Sequence, residues 1–269
     1  MQGLFNKAYK DIVKAVDNFA NCSAGTIVAQ KQEPTVLSGL PRKKLNYVYP
    51  YDSYIDSIIE SKIANQALRT FVNQYSINEI YAITKCGTQL NQNNYPRVWS
   101  NFRHCCSSLS VEEAPKLFIT SWITGINALS LEIENNPVIL LSYKTAVLLN
   151  DSEQRFLIGH ELGHIQQGHL LVHALQGVLS DLNQRVELLG TFVADLVELP
   201  LKKWFRASEF TADRAGYLCC KNVDDIVSIF NKVQEVECKT GYTDIAELYV
   251  DHPMLKSRIN EIRKFSISH

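Results

Sequence analysis

The chain has 269 residues, 46% of them hydrophobic, enough for a sizeable core in one large domain or two small ones. With 27 basic against 28 acidic residues its net charge is −1, which excludes the strong field that gathers nucleic acid or an anionic membrane. No run reaches the roughly eighteen apolar residues needed to span a bilayer, because polar and charged residues interrupt both 117–131 and 170–201. The seven cysteines (22, 86, 105, 106, 219, 220 and 238) are odd in number and irregular in spacing, so free thiols in a reducing cytoplasm are expected.

Residues 1–20 read as an amphipathic helix in which Lys7, Lys10, Asp11, Lys14 and Asp17 break any signal-peptide core. Gln2 stands where N-myristoylation needs glycine. Residues 21–50 are polar and punctuated by Pro34, Gly39 and Pro41, the texture of a linker or a surface-draped segment. A plain tether and a regulatory segment are both open readings. Residues 52–75 carry an apolar stripe of Ile55, Ile58, Ile59, Ile63, Leu68 and Phe71 and predict a helix. Across 79–110 a short extended piece and a helix around Pro96–Cys106 are expected.

From Lys116 the pattern turns to short β-like runs at 117–120, 128–133 and 138–141, the last two reading as a hairpin across 134–137. A short helix over 142–149 follows, and Asn150, Asp151 and Ser152 cap the next. Further helices are predicted at 152–174, 177–203, 206–220, 223–237, 243–249 and 254–266. The expected fold is α+β: mostly helical, with a small antiparallel sheet whose edge strand borders a cleft and offers an extended peptide a pairing partner. The expected division is 1–50 as N-terminal helix and linker, and 51–269 as the main domain.

The motif His160-Glu161-Leu162-Gly163-His164 lies in a segment with helical apolar spacing. Four residues of helix advance about 400°, so the two imidazoles share one face and can grip one Zn2+. Glu161, the next residue round from His160, lies beside water on such an ion. Zinc lowers the pKa of that water and polarises a carbonyl, while the glutamate takes a proton and returns it to the leaving amine. The bland alternative is a polar helix face with two histidines.

A catalytic zinc needs a third protein ligand and an open position. Glu209 is the candidate, with Asp213 one turn on to accept the far N–H of a ligand imidazole and fix its tautomer. The alternative is a solvated acidic face. His169 and His173 are also four apart, but on a continuous helix they stand about 180° and 220° round from His160 and cannot join the site unless the helix ends first. Position 170 is Leu, which argues against the metzincin pattern of a third histidine. The paired Cys105-Cys106 and Cys219-Cys220 lack chelating spacing and read as small buried residues.

With His169 trailing the motif, then Glu209-Phe210-Thr211-Ala212-Asp213-Arg214-Ala215-Gly216 and Asp251-His252-Pro253-Met254-Leu255-Lys256-Ser257-Arg258, the chain resembles the gluzincin-type zinc metallopeptidase family of the CAAX prenyl protease and HtpX. The resemblance covers about residues 116–262. It implies a zincin-like metallopeptidase with zinc on His160, His164 and Glu209, general base and acid at Glu161, and support from Asp213. It also implies His252 near the oxyanion, Arg258 bracing the carboxylates, and Asn127 and Ala128 on the substrate-binding edge strand. Those members have membrane-spanning helices around the motifs; this chain has none in the stretch of resemblance.

The function expected is a soluble, cytoplasmic zinc endopeptidase. Two alternatives stand beside it: a peptide-binding, chaperone-like module that does not cut, and a latent peptidase held inactive by its N-terminal region. The partners expected are a peptide or protein substrate, without nucleic acid or a membrane span. Peripheral membrane association and the oligomeric state stay open.

Overall fold

A computed structural model describes residues 45–55, 87–171 (apart from 122, 134 and 135), 173, 192–240 and 255–269. The expected helix over 1–20, most of the 21–50 segment, all but the first turn of the 52–75 helix, the 243–249 helix and His252 lie outside the described residues. Among the described residues, no helix is long and apolar enough to cross a membrane.

The sheet has four strands: β1 (Gly87–Gln89), β2 (Lys116–Thr120), β3 (Ala128–Ile133) and β4 (Asn136–Ser142), in the order β1-β2-β4-β3. Val138, Ile139, Leu140 and Leu141 are each no more than 2% exposed. That continuous apolar run makes β4 a strand covered on both faces. β3 and β4 form the expected antiparallel hairpin and β1 pairs antiparallel with β2, but β2 and β4 run parallel. The sheet is therefore mixed, not antiparallel throughout as expected. The hairpin puts β3 outside β4, so β4 returns alongside β2 in the same direction, and among the described residues β3 is an edge strand.

Helix α1 (Pro96–Ser108) precedes β2, and after β4 come α2 (Tyr143–Leu148), α3 (Asp151–Gln166), α4 (Phe192–Cys220), α5 (Val223–Thr240) and α6 (Leu255–Ser266). α4 is one unbroken helix where two were expected, over 177–203 and 206–220. Trp204 and Phe205 sit at the expected break as buried interior positions of that helix, and 177–191 lies outside the described residues.

α3 carries the H-E-x-x-H motif and is fixed at both ends. At its start Asn150 Oδ1 accepts from the Glu153 N–H at 2.9 Å, and the Asn150 N–H donates to Glu153 Oε2 at 2.8 Å, a complete capping box. Glu153 also accepts from Ser228 Oγ at 2.7 Å and Lys232 Nζ at 2.8 Å, tying the helix to α5. Burial opposes ionisation of this carboxyl, but the Lys232, backbone and Ser228 hydrogen bonds outweigh it and hold its pKa below the ordinary glutamate value. A depressed carboxyl supplies stability above its unfolded pKa of about 4.3 and loses it as pH falls through the folded value. Glu153→Ala is expected to cost about 2 kcal/mol at neutral pH. In urea melts at successive pH values, the gap between variant and parent should close at acid pH.

At its end α3 stops eight residues short of the predicted 174. Gly168 takes φ 63°, its N–H bonds Ile165 O at 3.1 Å, and the His169 N–H bonds His164 O at 3.0 Å. These two bonds make a Schellman motif, which only glycine enters without strain.

Among the described residues, α3 and α4 make the most extensive helix–helix contact. A Cβ added at Gly159 would stand 2.6 Å from Cys219 Sγ, and one at Gly163 would stand 2.8 Å from Ala215 Cβ and 3.0 Å from Ala212 Cα. On the other side of the crossing, a Cβ at Gly216 would meet Phe156 O at 2.6 Å. Three glycines thus let two backbones approach closely where the chemistry-bearing residues lie.

Candidate metal centre

His160 and His164 rise from α3 with their Nε2 atoms 3.1 Å apart. Glu209 comes across from α4, its Oε1 3.3 Å from His164 Nε2 and its Oε2 3.6 Å from His160 Nε2. The three side chains are buried, between 2% and 6% exposed, and their ligand atoms lie mutually within 4.8 Å. Glu161 is buried beside them, one residue round from His160 on the same helix. So the four residues singled out first are brought together.

The far side of each ring decides which nitrogen faces the centre. Asp213 Oδ1 lies 3.1 Å from His160 Nδ1, and Arg258 grips the same carboxylate bidentately, Nε to Oδ2 at 2.8 Å and Nη2 to Oδ1 at 2.6 Å. Burial opposes ionisation of Asp213, but the Arg258 guanidinium, with His160, holds its carboxyl below the usual range. An ionised carboxylate only accepts, so His160 Nδ1 carries the proton and Nε2 turns a lone pair inward. Arg258 Nη2 also comes within 3.7 Å of Glu209 Oε2.

On His164 the Nδ1 atom is 2.9 Å from His169 Nδ1, and His169 Nε2 is 3.0 and 3.1 Å from the two carboxylate oxygens of Asp52. Asp52 accepts from His169 Nε2–H, and in the neutral ring this leaves His169 Nδ1 as an acceptor for His164 Nδ1–H. His164 Nε2 then also turns a lone pair inward. Two imidazole lone pairs and a carboxylate converge, a donor set that repels itself without a cation and matches the nitrogen and oxygen ligands of zinc. Burial disfavours charge on His164, yet Glu209, with Glu161 and Asp52, more than offsets it and raises its pKa. The pocket favours positive charge.

His169 and Asp52 were missed as contributors, although Gln167-Gly168 carries a helix-stop signal that would have turned His169 back. His173 lies nearby too: its ring centroid is 4.8 Å from that of His164, and its Nε2 is 3.1 Å from Ser208 Oγ.

Asn127 and Ala128 stand at the start of β3, which packs against α3. The Asn127 N–H donates to Thr145 Oγ1 at 2.9 Å, and its carbonyl accepts from the Ser142 N–H at 3.0 Å and from Thr145 Oγ1 at 2.8 Å. Its backbone thus faces β4 and α2, while the Ala128 N–H bonds Asn127 Oδ1 at 2.8 Å. The alternation of an antiparallel pair then turns the backbone groups of Ala128 and Ser130 away from β4. Cys105, Cys106, Cys219 and Cys220 are free thiols, and burial pushes those of Cys106 and Cys220 up to about 11, where they stay protonated and unreactive.

A paired-histidine helix crossing a carboxylate-bearing helix, beside a small mixed sheet, defines a candidate hydrolase centre. Residues 93–266 match the model of peptidase family M48, and the chain belongs to that family. It is therefore a member of a metallopeptidase family, as the motifs implied. A curated relative, the plastoglobule-localized metallopeptidase 48, chloroplastic, of Arabidopsis thaliana, is 30% identical over 122 residues. The match covers 45% of this chain and 35% of that protein, so the chain spans about a third of the relative's length. No solved structure matches it.

Proposed function

We propose that the chain is a zinc-dependent endopeptidase. The observation that carries this reading is the convergence of His160 Nε2, His164 Nε2 and the Glu209 carboxylate, all three acceptors and all three buried. His160, His164 and Glu209 would hold the ion, which when bound supplies Lewis-acid polarisation of the scissile carbonyl and acidifies water. Glu161 takes the proton from the attacking water and delivers it to the leaving amine. Asp213, gripped by Arg258, keeps His160 in the tautomer that presents Nε2. An extended substrate pairs along β3 through the outward backbone of Ser130 and the Ala128 carbonyl, with Asn127 holding the Ala128 N–H at the strand's start. His252 is assigned to the oxyanion on the family resemblance alone. The free thiols suit the reducing cytoplasm expected for the chain.

The test is a mixed peptide library incubated with the purified full chain, with products sequenced and metal content measured by mass spectrometry. Internal cuts, stoichiometric zinc, loss of cutting on chelation and its return with zinc are the expected results. A zinc-loaded chain that yields no products overturns the peptidase reading. Trimming from peptide ends alone overturns the endopeptidase part.

A further inference from the structure

We propose that Asp52, acting through His169, is a positioning residue for the metal centre, so that the segment 45–55 upstream of the family-matched region is a working part of it. This inference rests on the metal reading of His160, His164 and Glu209. Asp52 and His169 are each 0% exposed, and their contacts at 3.0 and 3.1 Å continue into the 2.9 Å contact between His169 and His164. With both rings neutral and an ion on His164 Nε2, one placement of protons fits these three contacts. The Asp52 carboxylate accepts from His169 Nε2–H, His169 Nδ1 accepts from His164 Nδ1–H, and His164 Nε2 is left aimed at the ion. On the other side of the centre, the Asp213 carboxylate does the same for His160 directly.

The segment is anchored for this task. The Asp52 carbonyl accepts from Trp204 Nε1–H at 3.0 Å, and its N–H bonds Tyr49 O at 2.9 Å. The Tyr49 N–H in turn donates to Thr211 Oγ1 at 3.0 Å, and Tyr47 Oη donates to Gln166 Oε1 at 2.7 Å. These contacts fix the segment to α3 and α4, the two helices that carry the three ligands. The segment supports the centre from behind His164.

The experiment measures zinc affinity of the full chain by competition with a chromogenic chelator, alongside 15N spectra of the histidine rings. His169→Leu and Asp52→Ala should each weaken zinc binding on the order of 10- to 100-fold. His169→Asn, whose Oδ1 takes the place of Nδ1 as acceptor, should recover most of that loss. In the parent the spectra should report His169 protonated at Nε2 alone. Affinity within about twofold of the parent in both His169→Leu and Asp52→Ala overturns the proposal, as does His169→Asn binding no better than His169→Leu. Metal-free melting curves identify any variant that simply fails to fold, and in that event the ring spectra of the parent decide: a proton on His169 Nδ1 refutes the relay. A parent chain that binds no zinc removes the metal reading itself, and the relay with it. A parent that binds zinc with the variants unaffected removes the relay alone.

Discussion

Glu161→Gln should leave zinc in place and lower peptide cleavage on the order of 10³-fold. The substitution keeps the size and a hydrogen-bonding carbonyl but removes the basic carboxylate. Glu161 follows His160 on α3 and is 6% exposed, so little solvent can replace it as proton acceptor. It is not part of the converging donor set, which is why metal content should be unchanged. The measurement pairs kcat/KM on a peptide cut by the parent with metal analysis of both proteins. Cleavage by the variant at the parent's rate would remove the assigned acid–base role.

Gly163→Val should destabilise the fold by about 3 kcal/mol and strip the metal as well. The atoms a Cβ would meet belong to α4 itself, Ala215 Cβ at 2.8 Å and Ala212 Cα at 3.0 Å, so no flexible side chain can swing aside. The helices must separate, and they separate beside Glu209 and Asp213, which reach His160 and His164 across that crossing. Gly87→Ala is the matched control, because its Cβ would find ordinary contacts at 3.4–3.5 Å; its effect should stay within about 0.5 kcal/mol. Denaturant melts and zinc content of the two variants make the comparison. A Gly163→Val protein with parental stability and full zinc would show that the close approach of the helices is dispensable.

The centre was legible from spacing because its parts repeat at one helical turn. His160 and His164 are one turn apart, as are Glu209 and Asp213, and such pairs share a face whatever the rest of the chain does. Arg258 and the assignment of Asn127 and Ala128 to the edge strand came from family resemblance, since nothing local ties residue 258 to residue 213. The line from His164 to Asp52 was lost by running α3 on to 174, past the Gly168 turn that brings His169 back. With a continuous helix, geometry put His169 on the wrong side. The parallel pairing of β2 with β4 was not legible either, because strand direction depends on where a whole hairpin lodges and not on the alternation within a run. The continuity of α4 through Trp204 and Phe205 has the same cause: burial by distant rings, such as the 5.4 Å contact of Trp204 with His169, overrides the local pattern.

The bidentate clasp between Arg258 and Asp213 joins residues 45 positions apart. During synthesis, residues near the beginning leave the ribosome first and those on α6 follow late. A growing polypeptide that already displays both histidines and both acids therefore still lacks the guanidinium that neutralises Asp213. Buried acids without a counter-charge resist desolvation, so the helices carrying them have little reason to close. Closure of α3 on α4 around these acids therefore waits for α6, the last described helix.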